Sequence, residues 1–362
     1  MEALWAASAF GRWFALQDMP VKPVLKAVCD INESVFEWYR QTGTVEQFTK
    51  SYQELLANET IEVVYVAVPH DQHEKIYNEV LEAGKDLIAE KPFGIDLKAC
   101  ENIIEKINST SRFVRCSSEF PFLPGAQEVV KYFKTGQHGK ILEIKSGFHH
   151  ASDLNFQKPI NWKRMIQYCG AIGVMGDLGM HAIHLPFRLG LKPVSVYADL
   201  QNIVKERPDG KGGMAACETW DNAILHTRVN LEDYTVPMTI ETKRIAPSET
   251  NTWYIEILGT EGGIKFSTKE PKTLWTFIFD GKHQRWQKED LGFQSVIPAI
   301  TGGIFEPGFP DCFQQMLGAY FLEREGLLGD RFGCAKPEEA KLSHRLFEGA
   351  LVSYHENKIV NL

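Results

Sequence analysis

Hydrophobic and polar positions in the first third of the chain follow two alternating patterns. Short β-branched runs are followed by stretches with a helical period. Residues 24–30 (VLKAVCD) predict a strand and 34–42 a helix. Residues 63–69 (VVYVAVP) are almost continuously apolar, as in a strand of a parallel sheet covered on both faces. Residues 70–83 then predict a helix that Gly84 stops, and 86–90 another strand. Asp96 reads as the N-cap of a helix running to about Asn108, and 113–117 as one more strand. This order of elements implies right-handed crossovers and a doubly wound parallel sheet, an α/β fold.

Beyond about residue 120 the pattern changes. Residues 125–135 predict a helix, 141–148 a strand and 177–189 a helix. Strands are predicted at 194–204, 222–230, 236–243, 253–258 and 274–279. Their consecutive order points to a large antiparallel or mixed sheet. Helices over 311–324 and 337–356 close the chain, and 207–213 (RPDGKGG) reads as a mobile loop. The reading is therefore of two domains, 1–120 and 121–362, in keeping with a length of 362 residues.

Composition narrows the function. Hydrophobic residues at 44% and charged residues at 24% are ordinary for a globular protein. A net charge of -8 gives no basic footprint for nucleic acid. Seven scattered cysteines without a CxxC pair argue against a disulfide framework or a thiolate zinc site, and for a reducing compartment. No apolar run approaches the roughly 18 residues of a membrane span. The short apolar stretch 3–10 follows Glu2, where a signal peptide would carry positive charge. A cytoplasmic protein without membrane or nucleic-acid partners is expected.

A parallel sheet binds ligands at the carboxyl ends of its strands. The first strand is expected at 1–5, leading into a phosphate-binding turn that reads A-x-S-x-x-G: Ala6, Ser8 and Gly11, with Phe10 inside it. Only the third glycine of the usual GxGxxG is kept. Ala6 and Ser8 place a Cβ where a tight turn and a close backbone approach are needed, although Ser8 offers a hydroxyl to phosphate. Asp30 stands 19 residues after Gly11, where an acid binds the ribose 2′-hydroxyl and repels a 2′-phosphate. This favours NAD, with NADP as the alternative. Asp30 also suits a turn or an N-cap.

Two further clusters carry chemistry. Glu90-Lys91-Pro92 ends a buried strand and places Lys91 at the sheet edge facing the cleft. A lysine there can polarise a substrate oxygen or relay a proton; the plainer role is a solvated strand end. In 176–184 (GDLGMHAIH), Asp177 and His181 are four apart and share a helical face, making His181 a candidate general base. His184 reads as a packed core histidine rather than a metal ligand, and no metal is expected.

Taken together, these segments resemble the Gfo/Idh/MocA oxidoreductases, the glucose-fructose oxidoreductase and inositol dehydrogenase family. The likeness runs through 24–30, 52–69, His73, 81–92, 176–181 and 256–263. It implies a Rossmann domain followed by an α/β domain whose large, predominantly antiparallel sheet forms dimers or tetramers. It also implies a substrate cleft between the domains. By position, Lys91 corresponds to the lysine contacting substrate and cofactor, and Asp177 and His181 to the D-x-x-x-H pair with His181 as acid/base. Pro69, His73 and Glu90 correspond to positions near the nicotinamide and ribose, and Lys163 to a substrate contact. The implied reaction is hydride transfer between nicotinamide and a secondary hydroxyl of a sugar, polyol or cyclitol. His184, Glu119 and Pro121 depart from the residues frequent in the family, and His149, His150 and Trp162 fall in its substrate region. Two alternatives remain open: a glycosidase that retains its NAD, and a regulator that binds nucleotide or sugar without turnover.

Overall fold

In the computed structural model, which describes residues 2–292, 295–300 and 307–362, the chain begins with a helix. This helix, α1 (Glu2–Gly11), occupies the stretch read above as a first strand and a phosphate turn. Alanine at 3, 6, 7 and 9 favours helix, and a short apolar run does not by itself distinguish the two states. Packing decides the outcome. Ala6 and Ala9 join the main core beside a late helix, and Ala7 packs with Val28. The expectation for Ala6, Ser8, Phe10 and Gly11 as a glycine-type turn is therefore corrected. Ala6 is buried, Ser8 and Phe10 are half-buried, and Gly11 is exposed at the helix end.

The parallel strands follow: β1 (Ala27–Cys29), β2 (Gln47–Thr49), β3 (Val63–Val66), β4 (Asp86–Ala89) and β5 (Val114–Cys116). Helices α2 (Phe36–Arg40), α3 (Tyr52–Leu56), α4 (His73–Glu82) and α5 (Leu97–Thr110) connect them. Every pairing is parallel, but the strands form two sheets, β1–β2 and β3–β4–β5. No described strand joins β1 to β3. All four residues of β4 are buried, Asp86 included, whereas the apolar run of β3 alternates half-buried and buried residues, so the full two-sided cover expected there is met on one face only. Asp96 caps α5 as expected, its carboxylate accepting from the Ala99 amide at 2.8 Å.

The second part contains α6 (Pro124–Thr135), β6 (Ile141–His150), α7 (Ile166–Cys169), α8 (Val174–Arg188) and β7 (Pro193–Gln201). The stretch expected as a loop forms the end of β8 (Glu206–Pro208) and the turn over 209–213 that leads into β9 (Met214–Ala216) in a small hairpin. Then come β10 (Asn222–Asn230), β11 (Thr235–Lys243), β12 (Asn251–Gly259), β13 (Gly262–Ser267), β14 (Thr273–Phe279) and β15 (Gln284–Asp290). Helices α9 (Phe309–Arg324) and α10 (Pro337–Glu356) and the short β16 (Val360–Asn361) end the chain. Nine strands make one sheet in the order β15-β14-β13-β12-β6-β11-β10-β7-β16. It is antiparallel throughout except for the parallel β6–β11 pair.

Helix α8 lies across this sheet with every residue from Val174 to Phe187 buried. Its glycines serve close packing. A Cβ on Gly179 would stand 2.4 Å from the Phe347 ring, and one on Gly176 2.8 Å from Ile172. The closeness offsets the roughly 1 kcal/mol that a glycine costs inside a helix. It also fixes this turn of the helix, which carries Asp177 between the two glycines and His181 two residues beyond them. Among the described residues no helix is long and apolar enough to cross a membrane.

Candidate active site

Asp177 is the hub of a buried cluster drawn from four places in the fold. Its Oδ1 accepts from Lys163 Nζ at 2.8 Å and from Lys91 Nζ at 3.3 Å. Lys91 Nζ also donates to the Asp177 carbonyl at 2.8 Å. Oδ2 accepts from Arg244, at 3.1 Å from Nη2 and 3.3 Å from Nε. Burial alone would raise this carboxyl's pKa. Lys163, Lys91 and Arg244 outweigh it and hold the pKa well below the ordinary range. Lys91 reaches the cluster from the turn after β4, Lys163 from a helical turn at Trp162–Arg164, and Arg244 from the end of β11.

One helical turn on from Asp177, His181 sits in a largely apolar chamber and is only 4% exposed. The rings of Phe120 and Phe148 lie edge-on at 5.3 and 5.5 Å, and Trp253 donates its indole N–H to the His181 carbonyl at 2.8 Å. Burial, and then the charge of Lys91, push the imidazole pKa well below its usual value of 6.5. The ring is thus a neutral base at pH 7. Asp177 favours the charged form without prevailing. Its oxygens are taken by cations, and no described hydrogen bond joins it to the imidazole. Instead, Nδ1 of His181 faces Glu119, whose Oε2 lies 3.8 Å away.

The other expected positions fall into two groups. Pro69, Glu90 and Lys91 stand just beyond the carboxyl ends of β3 and β4. Glu90 accepts from Tyr65 Oη at 2.5 Å and from the Lys91 amide at 3.2 Å, while Tyr77 Oη donates to its carbonyl. His73 is fully buried, with its ring nitrogens 2.7 Å from the Pro92 carbonyl and 3.0 Å from that of Val68. Burial lowers its pKa to about 4. It pins the turn carrying Lys91 from within the fold. Asp30 lies at the carboxyl end of β1, half-buried, and accepts from the Asn32 amide at 2.8 Å, so the turn role is also realised.

These positions suit a dinucleotide at its two ends. Asp30 offers a carboxylate for ribose hydroxyls, and the β3 and β4 termini lie on the side where parallel sheets bind ligands. The residues expected around the pyrophosphate do not fit that part, because they are turns of α1.

His184 points elsewhere. Its Nε2 is 3.4 Å from Arg188, which grips Glu339 through two 2.9 Å contacts, and burial lowers its pKa to about 3. Among the described residues no three His, Cys, Asp or Glu side chains converge as a metal site would.

Sequence reasoning missed Arg244, His70 and Arg164. Arg244 looks like an ordinary basic residue at a strand end, and nothing in its neighbourhood marks it. His70 is buried with Nδ1 3.2 Å from the Cys169 carbonyl and its ring against Trp162 at 4.8 Å. Arg164 is fully buried between Asp153 and Asp221, and so anchors the turn that carries Lys163. The adjacent pair Lys163-Arg164 was the available signal.

With this geometry established, comparison with known proteins gives a consistent result. A family model described as "Oxidoreductase family, NAD-binding Rossmann fold" matches residues 7–118. A second, "GFO/IDH/MocA C-terminal domain", matches residues 126–265. The chain is 26% identical over 289 residues to levoglucosan dehydrogenase of Pseudarthrobacter phenanthrenivorans, a match spanning 76% of this chain and 72% of that protein. It is 24% identical over 212 residues to trans-1,2-dihydrobenzene-1,2-diol dehydrogenase of Mus musculus, covering 55% of this chain and 61% of that one. Among solved structures, levoglucosan dehydrogenase in complex with NADH and levoglucosan superposes with a TM-score of 0.86 at 21% identity. That match covers 99% of this chain and 94% of the other. An inositol dehydrogenase homolog complexed with NAD+ from Azotobacter vinelandii gives 0.76 at 17% identity, covering 92% and 88%.

Proposed function

The chain belongs to the Gfo/Idh/MocA family of NAD-binding oxidoreductases, and on that premise we propose that it oxidises a secondary hydroxyl of a sugar, polyol or cyclitol, or reduces the keto form. The observation that carries this reading is the convergence of Lys91, Asp177 and His181 at one buried point. Each residue then has a distinct task. Asp177 holds the two lysine ammoniums in place, and Lys91 polarises the reacting oxygen. His181, neutral because it is buried, takes the hydroxyl proton as the carbon gives up its hydride. Bound nicotinamide supplies the hydride acceptor, with Asp30 favouring NAD, and Pro69, Glu90 and Lys91 bordering its reactive end. His73 supports that border from beneath. Lys163 contributes to both the substrate pocket and the Asp177 cluster.

The cleft lies between a nucleotide domain ending near residue 120 and the remainder of the chain. The exposed Tyr197, Ile278, Phe279 and Trp286 on the large sheet suit assembly into a homodimer or homotetramer. One observation favours the regulator reading: a helix stands where a phosphate turn was expected.

The test is a panel of sugars, anhydrosugars, polyols and cyclitols with NAD, following nucleotide absorbance for the parent and His181→Ala. Net NADH formation by the parent, lost in the variant, is expected. NADH binding without conversion of any alcohol would move the protein to the regulator class. Release of phenol from aryl glycosides without net NADH would move it to the glycosidases.

A further inference from the structure

The base of the reaction proposed above needs a place for its positive charge. When His181 takes a hydroxyl proton through Nε2, both ring nitrogens carry hydrogen, and the one at Nδ1 is sealed inside the protein. That Nδ1 atom is buried with no hydrogen-bond partner in the described structure. The i−4 carboxylate, which the sequence pattern offers as its partner, is occupied by Lys91, Lys163 and Arg244.

The groups facing the imidazole can be followed element by element. Its own helix supplies Asp177. The turn after β4 supplies Lys91, the end of β6 supplies His150, and the turn at Trp162–Arg164 supplies Lys163. Phe120, Phe148 and Trp253 present rings. Lys91, His150 and Lys163 all oppose a charge on His181, and among the described groups on that side Asp177 favours it. On the Nδ1 side stands Glu119, at the N-cap of the Phe120–Phe122 turn, its carboxylate as buried as the imidazole at 7% against 5% side-chain exposure.

We propose that Glu119 is the positioning residue of the acid/base, holding His181 with Nδ1 protonated and Nε2 free for substrate, and stabilising the imidazolium formed during the reaction. The proposal rests on the dehydrogenase reading for its role in turnover, but the pairing itself does not. The 3.8 Å separation is longer than a hydrogen bond and well within charge–charge reach, and such contacts often tighten once substrate is bound. The proton balance is simple. The hydroxyl proton ends on Nε2, the hydride leaves with the nicotinamide, and Nδ1 keeps its own proton beside the Glu119 side chain.

Glu119→Gln keeps the shape and removes the charge, so it separates this role from packing. The experiment has two parts on the full chain. First, with isotopically labelled histidine, the His181 signal (identified by its loss in His181→Asn) is titrated in parent and Glu119→Gln protein without added ligand. A neighbouring carboxylate raises an imidazole pKa, so its removal should move the His181 titration down by about one pH unit. Second, once a substrate is found, the acid limb of kcat/KM should move the same way, and kcat should fall about tenfold or more, with KM little changed. A Glu119→Asp protein, charged but shorter, should recover part of the shift. An unmoved His181 titration in a folded Glu119→Gln protein overturns the proposal, whether or not the enzyme turns over. A shifted titration in a protein that oxidises no alcohol supports the pairing and instead counts against the dehydrogenase reading.

Discussion

The two β regions of this protein use strands of very different reach. In the nine-stranded sheet, β7, β10, β11 and β12 each run nine residues, with register shifts only near strand ends at Arg228/Val229 and Leu258/Gly259, and inward side chains such as Leu225, Val229, Met238 and Ile240 are almost completely buried. On the nucleotide side the strands have three or four residues and belong to two separate sheets. Here burial comes from helices laid over short strands, and at β1 from α1 and the aromatic pair Phe36 and Phe48. The long sheet is a rigid floor on which α8 sets Asp177 and His181. The short strands contribute Lys91 through a turn held by His73, Tyr65 and Tyr77. A cluster assembled from both regions takes its framework from the long sheet and Lys91 from the short strands.

The difference can be broken or sharpened by substitution. The largest effect is expected at the boundary itself: His181→Ala should reduce turnover by about 10²–10⁴-fold. Nucleotide binding should stay near that of the parent, while the cavity left by the buried ring lowers the melting temperature by a few degrees, which calorimetry and steady-state rates would check. A fall in binding of similar size would mean that His181 holds the fold or cofactor instead.

Next comes the charge hub. Asp177→Ala leaves Lys91, Lys163 and Arg244 together without their shared carboxylate, and should cost about 3–5 kcal/mol in denaturant unfolding. The sign of its pH dependence follows from its depressed folded-state pKa. The contribution of Asp177 is present above the unfolded carboxylate range and is lost as pH falls through the folded value. The variant's deficit should therefore shrink in acid, and a constant deficit from neutral to strongly acid pH would point to packing alone.

A matched pair probes the two β regions directly. Val229→Ala in β10 and Val28→Ala in β1 delete the same atoms from 0% and 7% exposed sites. The first should cost about 2 kcal/mol and the second about 1, because a cavity over a short, two-stranded sheet collapses more easily. Amide exchange should likewise be faster in β1 and β2 than in β10. Equal costs and equal protection would erase the distinction.

The smallest effect tests the corrected phosphate turn. A Cβ at Gly11 meets nothing within 4 Å, so Gly11→Ala should stabilise α1 slightly, by about 0.5 kcal/mol, with NADH affinity unchanged. A steep loss of affinity would instead restore Gly11 to the nucleotide site.

Legibility in the sequence followed the strength of periodicity. The strand over 222–230 and the helix over 337–356 were expected with the bounds observed, because each shows a long, one-sided apolar pattern. β15 was missed: all seven of its residues are exposed, so no buried face marks it. α1 was misread because Ala3–Phe10 carries apolar residues without a discriminating period, and a dinucleotide fold sets up the expectation of a strand there. At the candidate site, the helical spacing of Asp177 and His181 was legible, while Lys91 was singled out chiefly through the family resemblance. Arg244 and the facing of Glu119 toward His181 were not, since both depend on contacts 62 or more residues apart in the chain.

The most direct measurement is a titration of the protein with NADH and with NADPH, following tryptophan fluorescence. Among its eight tryptophans, Trp5 lies in α1 and Trp13 just beyond it. Saturable quenching with NADH preferred is the expected result, with Asp30 discriminating against the 2′-phosphate. No response to either nucleotide would contradict the assignment of this chain as an NAD-dependent oxidoreductase.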